Sequence, residues 1–146
     1  MVQAELEKNL KEEKLNSIYL LYGEETYLLD TAVKKIKKIF GERVVGINYI
    51  ELDEETISNL VQEIQMPCFG YPKKMIVVRH SGLFKKETKK KGVASVKETR
   101  EELEKYLKEN AEYVNENFIL IFIEDSVEKL NITKTIEAIR REHLRI

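Results

Sequence analysis

The chain has one cysteine, Cys68, so no disulfide can close within it, and the composition fits a reducing compartment. Its two histidines, His80 and His143, lie far apart, and neither has a Cys or His partner at metal-ligand spacing. Cys68 has no Cys-x-x-Cys partner and no serine sits in a Gly-x-Ser-x-Gly elbow, so the sequence shows no catalytic constellation. Long apolar runs are missing as well. The longest, Phe118 to Ile123, falls far short of the roughly 20 residues that a membrane helix needs. The start of the chain carries Glu5, Glu7, Lys8, Lys11, Glu12 and Glu13 and has no apolar signal-peptide region. A soluble cytoplasmic protein is the expectation. The formal net charge is −1, which favours neither a nucleic acid nor an acidic partner over the whole surface. There is no internal repeat.

What is present suffices for one domain. The chain has 146 residues, of which 42% are hydrophobic, enough for a single core. Residues 4–14 are patterned as a charged surface helix, with Leu6 and Leu10 four apart. Ile18 to Tyr22 is a strand closed by Gly23. Residues 25–40 form an amphipathic helix, with Leu29, Ala32, Val33, Ile36 and Phe40 as the apolar stripe and Lys34, Lys35, Lys37 and Lys38 as the wet side. Gly41 stops it. Val44 to Leu52 is strand-like, weakened early by Gly46. Asp53 can cap the next helix, whose face is Ile57, Leu60, Val61 and Ile64, and Pro67 predicts its end near Gln65. Met75 to Val78 is a third strand. Residues 85–97 are lysine-rich and expected to be mobile, and 98–109 form a mainly polar helix. Phe118 to Ile123 is apolar at every position, which requires cover on both faces and implies a parallel sheet between helices. Residues 131–142 form another helix with Ile132, Ile136 and Ile139 inward, and Leu144 to Ile146 opens a fifth strand. Strands alternating with helices predict an α/β fold with a mainly parallel sheet. A chain that stops as a strand begins suggests the N-terminal part of a longer protein.

Four segments carry candidate chemistry. The strand–turn–helix at Ile18–Asp30 has the layout of a nucleotide-binding unit. A phosphate loop needs Gly-x-x-x-x-Gly-Lys-Ser/Thr, whose amides cradle phosphate while the lysine neutralises it and the hydroxyl holds magnesium. Gly23 can serve as the first glycine, but Leu28, Leu29 and Asp30 stand where the second glycine, the lysine and the hydroxyl should be. Glu24 and Glu25 add negative charge at the helix start, which suits the free helix end and repels a nucleotide. Second, Phe118–Ile123 followed by Glu124 and Asp125 is similar to a strand bearing magnesium-binding acids, a role that needs a working phosphate loop. Otherwise these are solvated acids opening a loop.

Third, the segment from Met66 to Pro72 holds both prolines, with Gly70 permitting a turn. Met66, Cys68, Phe69 and Tyr71 are more apolar than a loop needs. Either they fold under the sheet edge and close the core, or Phe69 is an exposed aromatic anchor for a partner. Fourth, Lys85, Lys86, Lys89, Lys90 and Lys91 surround the single acid Glu87. Such a cluster can contact nucleic-acid phosphate weakly, although no aromatic interleaves it for base stacking.

In order and spacing, Ile-Tyr-Leu-Leu-Tyr-Gly-Glu-Glu-Thr-Tyr-Leu-Leu, the Asn-Tyr-Ile-Glu-Leu-Asp strand, Met-Pro-Cys-Phe-Gly-Tyr-Pro-Lys-Lys-Met-Ile-Val-Val and Phe-Ile-Leu-Ile-Phe-Ile-Glu resemble the N-terminal region of the bacterial DNA polymerase III delta subunit. The resemblance spans essentially the whole chain. It implies a P-loop NTPase-like domain of the AAA+ kind with a degenerate nucleotide site, no cofactor and no metal. It also implies a clamp-loader subunit whose helix-to-strand loop plugs an apolar pocket on the ring-shaped sliding clamp (beta subunit) and favours the opened ring in DNA replication. In the family that loop carries a proline or small residue, a bulky apolar residue and a phenylalanine; here these are Pro67, Cys68 and Phe69. Cys68 is smaller than the family's bulky residue, which leaves Met66 or Tyr71 to compensate. The family's protein continues into a helical lid and a collar that assembles with other loader subunits, so this chain is expected to contact the clamp and to meet DNA only indirectly. The rivals are a nucleotide-binding ATPase with its phosphate lysine delivered from elsewhere, and a DNA-binding module using the 85–91 lysines.

Overall fold

The computed structural model describes residues 15–66, 68, 70–84, 96–124, 127 and 132–135. Their order is β1 (Ile18–Tyr22), α1 (Thr26–Phe40), β2 (Tyr49–Leu52), a 3-10 turn (Ile57–Asn59), α2 (Leu60–Gln65), β3 (Lys74–Arg79), α3 (Val96–Asn117) and β4 (Phe118–Glu124). The four strands form one sheet in the order β1-β4-β3-β2, and every pairing is parallel. Central β4 is buried at every position, as its unbroken apolar run requires.

Side-chain alternation divides the core in two. Ile18, Leu20, Ile76, Val78, Leu120 and Phe122 face one side and pack with Leu60, Ile64, Leu103 and Leu107 of α2 and α3. Tyr19, Leu21, Met75, Val77, Ile119 and Ile121 face the other side, against Leu29, Val33 and Ile36 of α1. Phe84 and Phe122 meet edge-on with centroids 5.4 Å apart, as do Tyr113 and Phe118 at 5.7 Å.

Several boundaries differ from the sequence pattern for identifiable reasons. The strand expected over 44–52 exists only as Tyr49–Leu52, because Gly46 at φ 86° turns the chain and leaves Val45 with a single bridge to Tyr49. Asp53 does cap, although what it caps is the turn before the 3-10 segment: its Oδ1 accepts from the amides of Glu55 (2.9 Å) and Thr56 (3.1 Å). α2 ends at Gln65, before Pro67, as predicted. The helix expected over 98–109 continues to Asn117, but at Asn110 its backbone leaves helical values (φ −129°, ψ 28°). The Asn110 side chain donates to the Tyr106 carbonyl, and beyond the kink Val114 returns to the core. Ile132 is buried at the start of the helical residues 132–135. The expected helix over 4–14, the 85–91 lysines with most of the 85–97 segment, Ile136, Ile139 and the fifth strand lie outside the described residues.

Lys37, placed on the wet side by periodicity, is partly buried. Its Nζ lies 5.1 Å from the Tyr49 ring centroid, and the Arg43 guanidinium lies 5.8 Å from it. Burial lowers the Lys37 pKa. Burial and then the Glu51 carboxylate push the Tyr49 phenol up to about 12, against the pull of Arg79 and Arg43. The fold therefore favours the neutral phenol. That contribution is complete below pH 10.0, the ordinary value for a phenol, and is lost as pH rises toward about 12. Urea titrations between pH 9 and 12 should show a steeper loss of stability for the native chain than for Tyr49→Phe. Equal slopes would refute the assignment.

Candidate functional site

Because the four described strands are parallel, the sheet has two distinct ends, and the two candidate sites fall on opposite ones. The carboxyl end is where an α/β fold binds phosphate. Only Gly23, Glu24 and Glu25 separate β1 from α1 there, too few for the Gly-x-x-x-x-Gly-Lys span. Three amides around the turn already have partners within the chain: Gly23 donates to Glu124 O (3.3 Å), Thr26 to Glu24 O (3.0 Å) and Leu29 to Glu25 O (3.1 Å). Leu29, at the lysine position, is buried in the core. Asp30, at the hydroxyl position, pairs with Arg79 at 3.5 Å, and Arg79 also reaches Glu51 at 3.8 Å. An exposed network of this kind contributes at most about 1 kcal/mol per pair.

Glu124 corrects the sequence expectation. It is neither a solvated loop acid nor aimed at an open cleft. It is 3% exposed, and its Oε1 accepts from the Ser81 amide (3.1 Å) and hydroxyl (2.7 Å). Ser81 Oγ accepts in turn from the Leu83 amide (3.1 Å). The carboxylate thus clasps the turn after β3 to the end of β4. Asp125 lies outside the described residues.

The amino end of the sheet presents the second site. Here α2 gives way to the loop that leads into β3. Met66 leaves the helix with extended backbone (φ −105°, ψ 101°), and its side chain is 46% exposed. Cys68 is half-buried, with Sγ donating to the Tyr71 carbonyl at 3.6 Å. Gly70 turns the chain at φ 83°, with open space where a Cβ would stand. Tyr71 is half-buried, and its hydroxyl donates to Glu42 Oε1 at 3.1 Å, which raises the phenol pKa. Met66 is exposed and Cys68 and Tyr71 are half-buried, so none of the three is among the buried core residues. Pro67 and Phe69 lie outside the described residues.

A buried cation fixes the root of this loop. Lys74, the first residue of β3, is 4% exposed, and its Nζ donates to the carbonyls of Glu63 (3.2 Å) and Met66 (3.3 Å) and to the Glu63 carboxylate (3.3 Å). It caps the C-terminus of α2 and ties the first loop residue to the sheet. Sequence reasoning missed it. The pattern Lys-Lys-Met-Ile-Val-Val has a signal only in hindsight, since one of the two lysines must sit within the strand pleat.

A parallel α/β domain with helices on both faces, a strand–helix turn at the mouth and no phosphate grip is an AAA+-like, P-loop NTPase-like fold with a degenerate nucleotide site. The chain belongs to the family "DNA polymerase III, delta subunit", whose model matches residues 19–142. It is 24% identical over 139 residues to the DNA polymerase III subunit delta of Bacillus subtilis (strain 168), covering 93% of this chain and 38% of that protein. The solved structure of the Bacillus subtilis DNA clamp loader delta protein superposes with a TM-score of 0.78 at 21% identity, over 100% of this chain and 42% of that one. A DNA polymerase III gamma subunit-related protein of Thermotoga maritima gives 0.54 at 10% identity, over 97% of this chain and 45% of that one. At these identities the structural likenesses show the fold. The chain spans less than half the length of each of these relatives. Among the described residues, no helix is long and apolar enough to cross a membrane, and no group of acids, cysteines and histidines could hold a metal.

Proposed function

We propose that this chain is the clamp-contacting domain of a cytoplasmic clamp-loader subunit, that it carries no catalytic site, and that it acts on the sliding clamp mechanically. The observation that carries the reading is the loop after α2, whose described residues stand outside both cores and expose Met66. In a delta-subunit family member, such a loop has the position and chemistry to fill an apolar pocket on the ring. Phe69 is the anchor, Pro67 stiffens its approach, and Met66, Cys68 and Tyr71 supply the surrounding apolar contact. Ring opening then follows from differential affinity: a domain that binds the open or strained ring better than the closed one shifts the population toward open. Further domains of a longer subunit would make the contacts to other loader subunits, and DNA would be met only through the assembly.

The carboxyl-end geometry supports the non-catalytic half of the proposal. Asp30 is held by Arg79, and the Gly23, Thr26 and Leu29 amides around the turn already donate within the chain. Calorimetry with millimolar Mg–ATP should show no binding. Clear one-to-one binding would reinstate the ATPase alternative.

The clamp contact is tested by Phe69→Ala. Removing an exposed aromatic anchor commonly costs about 2 kcal/mol in affinity, roughly thirtyfold. The same truncation in a packed core would cost about 3–5 kcal/mol of stability. Surface plasmon resonance against the purified sliding clamp should show the weakening while the melting temperature holds. Unchanged affinity with a large fall in melting temperature would place Phe69 in the core and end the plug assignment.

A further inference from the structure

The loop between α1 and β2 contradicts ordinary folding logic. Two of its three β-branched side chains point away from the core, with Val45 80% exposed and Ile47 47% exposed, while Val44 is half-buried. The backbone beneath them is nevertheless tightly fixed. Asn48 is buried, with its Oδ1 accepting from the Val44 amide (2.6 Å) and its Nδ2 donating to the Glu42 carbonyl (2.8 Å). The Ile47 amide donates to Val44 O (3.0 Å) and the Gly46 amide to Tyr49 O (3.0 Å). A loop this well bonded presents its apolar residues by construction, and presentation without ordering cost is what a binding surface requires.

The neighbourhood of this loop indicates what covers it. β2 and β3 are adjacent and parallel, with Tyr49 opposite Met75, so the loops that precede them leave the same end of the sheet side by side. One direct link joins the loops, the Tyr71 hydroxyl donating to Glu42 at 3.1 Å, and the Met75 amide of β3 donates to the Asn48 carbonyl at 2.8 Å. Met66, Val45 and Ile47 are three of the four large apolar side chains that stand exposed among the described residues, and all three lie at this end. The fourth, Tyr27, lies at the other end, in the first turn of α1.

We infer that Val45 and Ile47 form a second apolar contact for the same ring-shaped clamp that the Met66–Tyr71 loop engages. This rests on the proposed reading of that loop. The partner surface it fits is an apolar patch beside the pocket that receives Phe69.

The test compares clamp binding by the native chain, Phe69→Ala, the double variant Val45→Ser/Ile47→Ser, and Val45→Glu, whose site is too exposed to affect folding. Each is melted in parallel, and each is sedimented alone. The double variant should bind the purified clamp about tenfold more weakly, and Val45→Glu should weaken it at least severalfold with an unchanged melting temperature. If Phe69→Ala weakens binding while both loop variants bind like the native chain, the second contact is overturned and the plug reading stands. If the native chain does not bind the clamp, both fall. If the loop variants alter self-association and leave clamp affinity untouched, the surface belongs to a second copy and the inference is wrong.

Discussion

Replacing Glu124 by alanine should cost the domain about 3 kcal/mol, a large share of a typical folding free energy of about 5–15 kcal/mol. The expectation follows from what the carboxylate leaves behind. Ser81 is buried, and both its amide and its hydroxyl donate to Glu124 Oε1. Without that acceptor two buried donors lose their partner, at about 1–3 kcal/mol each before relaxation. The damage reaches beyond one pair, because Ser81 in turn receives the Leu83 amide and heads the turn that buries Leu83 and Phe84. Arg100 of α3 holds the same turn from the opposite side, through Nε to the Leu83 carbonyl at 2.7 Å and Nη2 to the Gly82 carbonyl at 3.2 Å. Arg100 limits the loss by keeping the turn in place. Glu124→Gln retains an oxygen acceptor of nearly the same shape and should recover most of the stability. Urea unfolding of the two variants separates hydrogen bonding from packing. Equal losses in both would mean that charge, not the acceptor, stabilises the clasp, and a loss under about 1 kcal/mol for alanine would mean that water replaces it.

The same residue shows what the sequence conveys and what it hides. β4 was legible because Phe118 to Ile123 is apolar at every position, which requires cover on both faces, and β1 because Ile18 to Tyr22 is dense in β-formers and closed by Gly23. The end of α2 was legible because Pro67 acts locally on the residue before it. The missing phosphate grip could be read from Leu28, Leu29 and Asp30 by residue type alone. The features that escaped are those in which a polar side chain is satisfied by something distant in sequence. Glu124 looks like a solvated acid until Ser81, on a different strand end, is brought to it. Asn48 looks like part of a strand until its side chain bonds to the Glu42 carbonyl and the Val44 amide and folds Val45–Ile47 into a turn. α3 seemed to stop near 109 because Asn110 and Ala111 stand where the next apolar residues of the stripe would fall, and the stripe resumes only at Val114, two helical turns beyond Leu107. At the candidate clamp contact, the sequence supplied the loop and its apolar residues, whereas the lysine that holds its root required the structure.

That lysine carries the second large effect. Lys74→Met keeps the length and apolar stem of the side chain and removes the cation, so the loss isolates the clasp from the packing. Removing one partner of a buried ion pair typically costs about 3–5 kcal/mol. Here the Glu63 carboxylate is 19% exposed and can regain water, which puts the expected loss nearer 3 kcal/mol. Two carbonyls, of Glu63 and Met66, lose their donor as well. Glu63→Gln leaves both carbonyl bonds intact and should cost only about 1 kcal/mol. The functional consequence can be separated from the stability loss. A domain that begins at about 5 kcal/mol and loses 3 still favours the folded state by roughly thirtyfold at 25 °C. Unfolding therefore accounts for almost none of any fall in clamp affinity measured there. Under the proposed clamp contact, Met66 no longer tethered to Lys74 lets the loop leave its bound shape, and affinity should fall severalfold through the cost of reordering it. Chemical denaturation and surface plasmon resonance on one preparation of Lys74→Met decide the matter. A destabilised variant that binds the clamp as tightly as the native chain would show that Lys74 supports the fold without positioning the loop. A variant within 0.5 kcal/mol of native stability would show that the clasp itself contributes little.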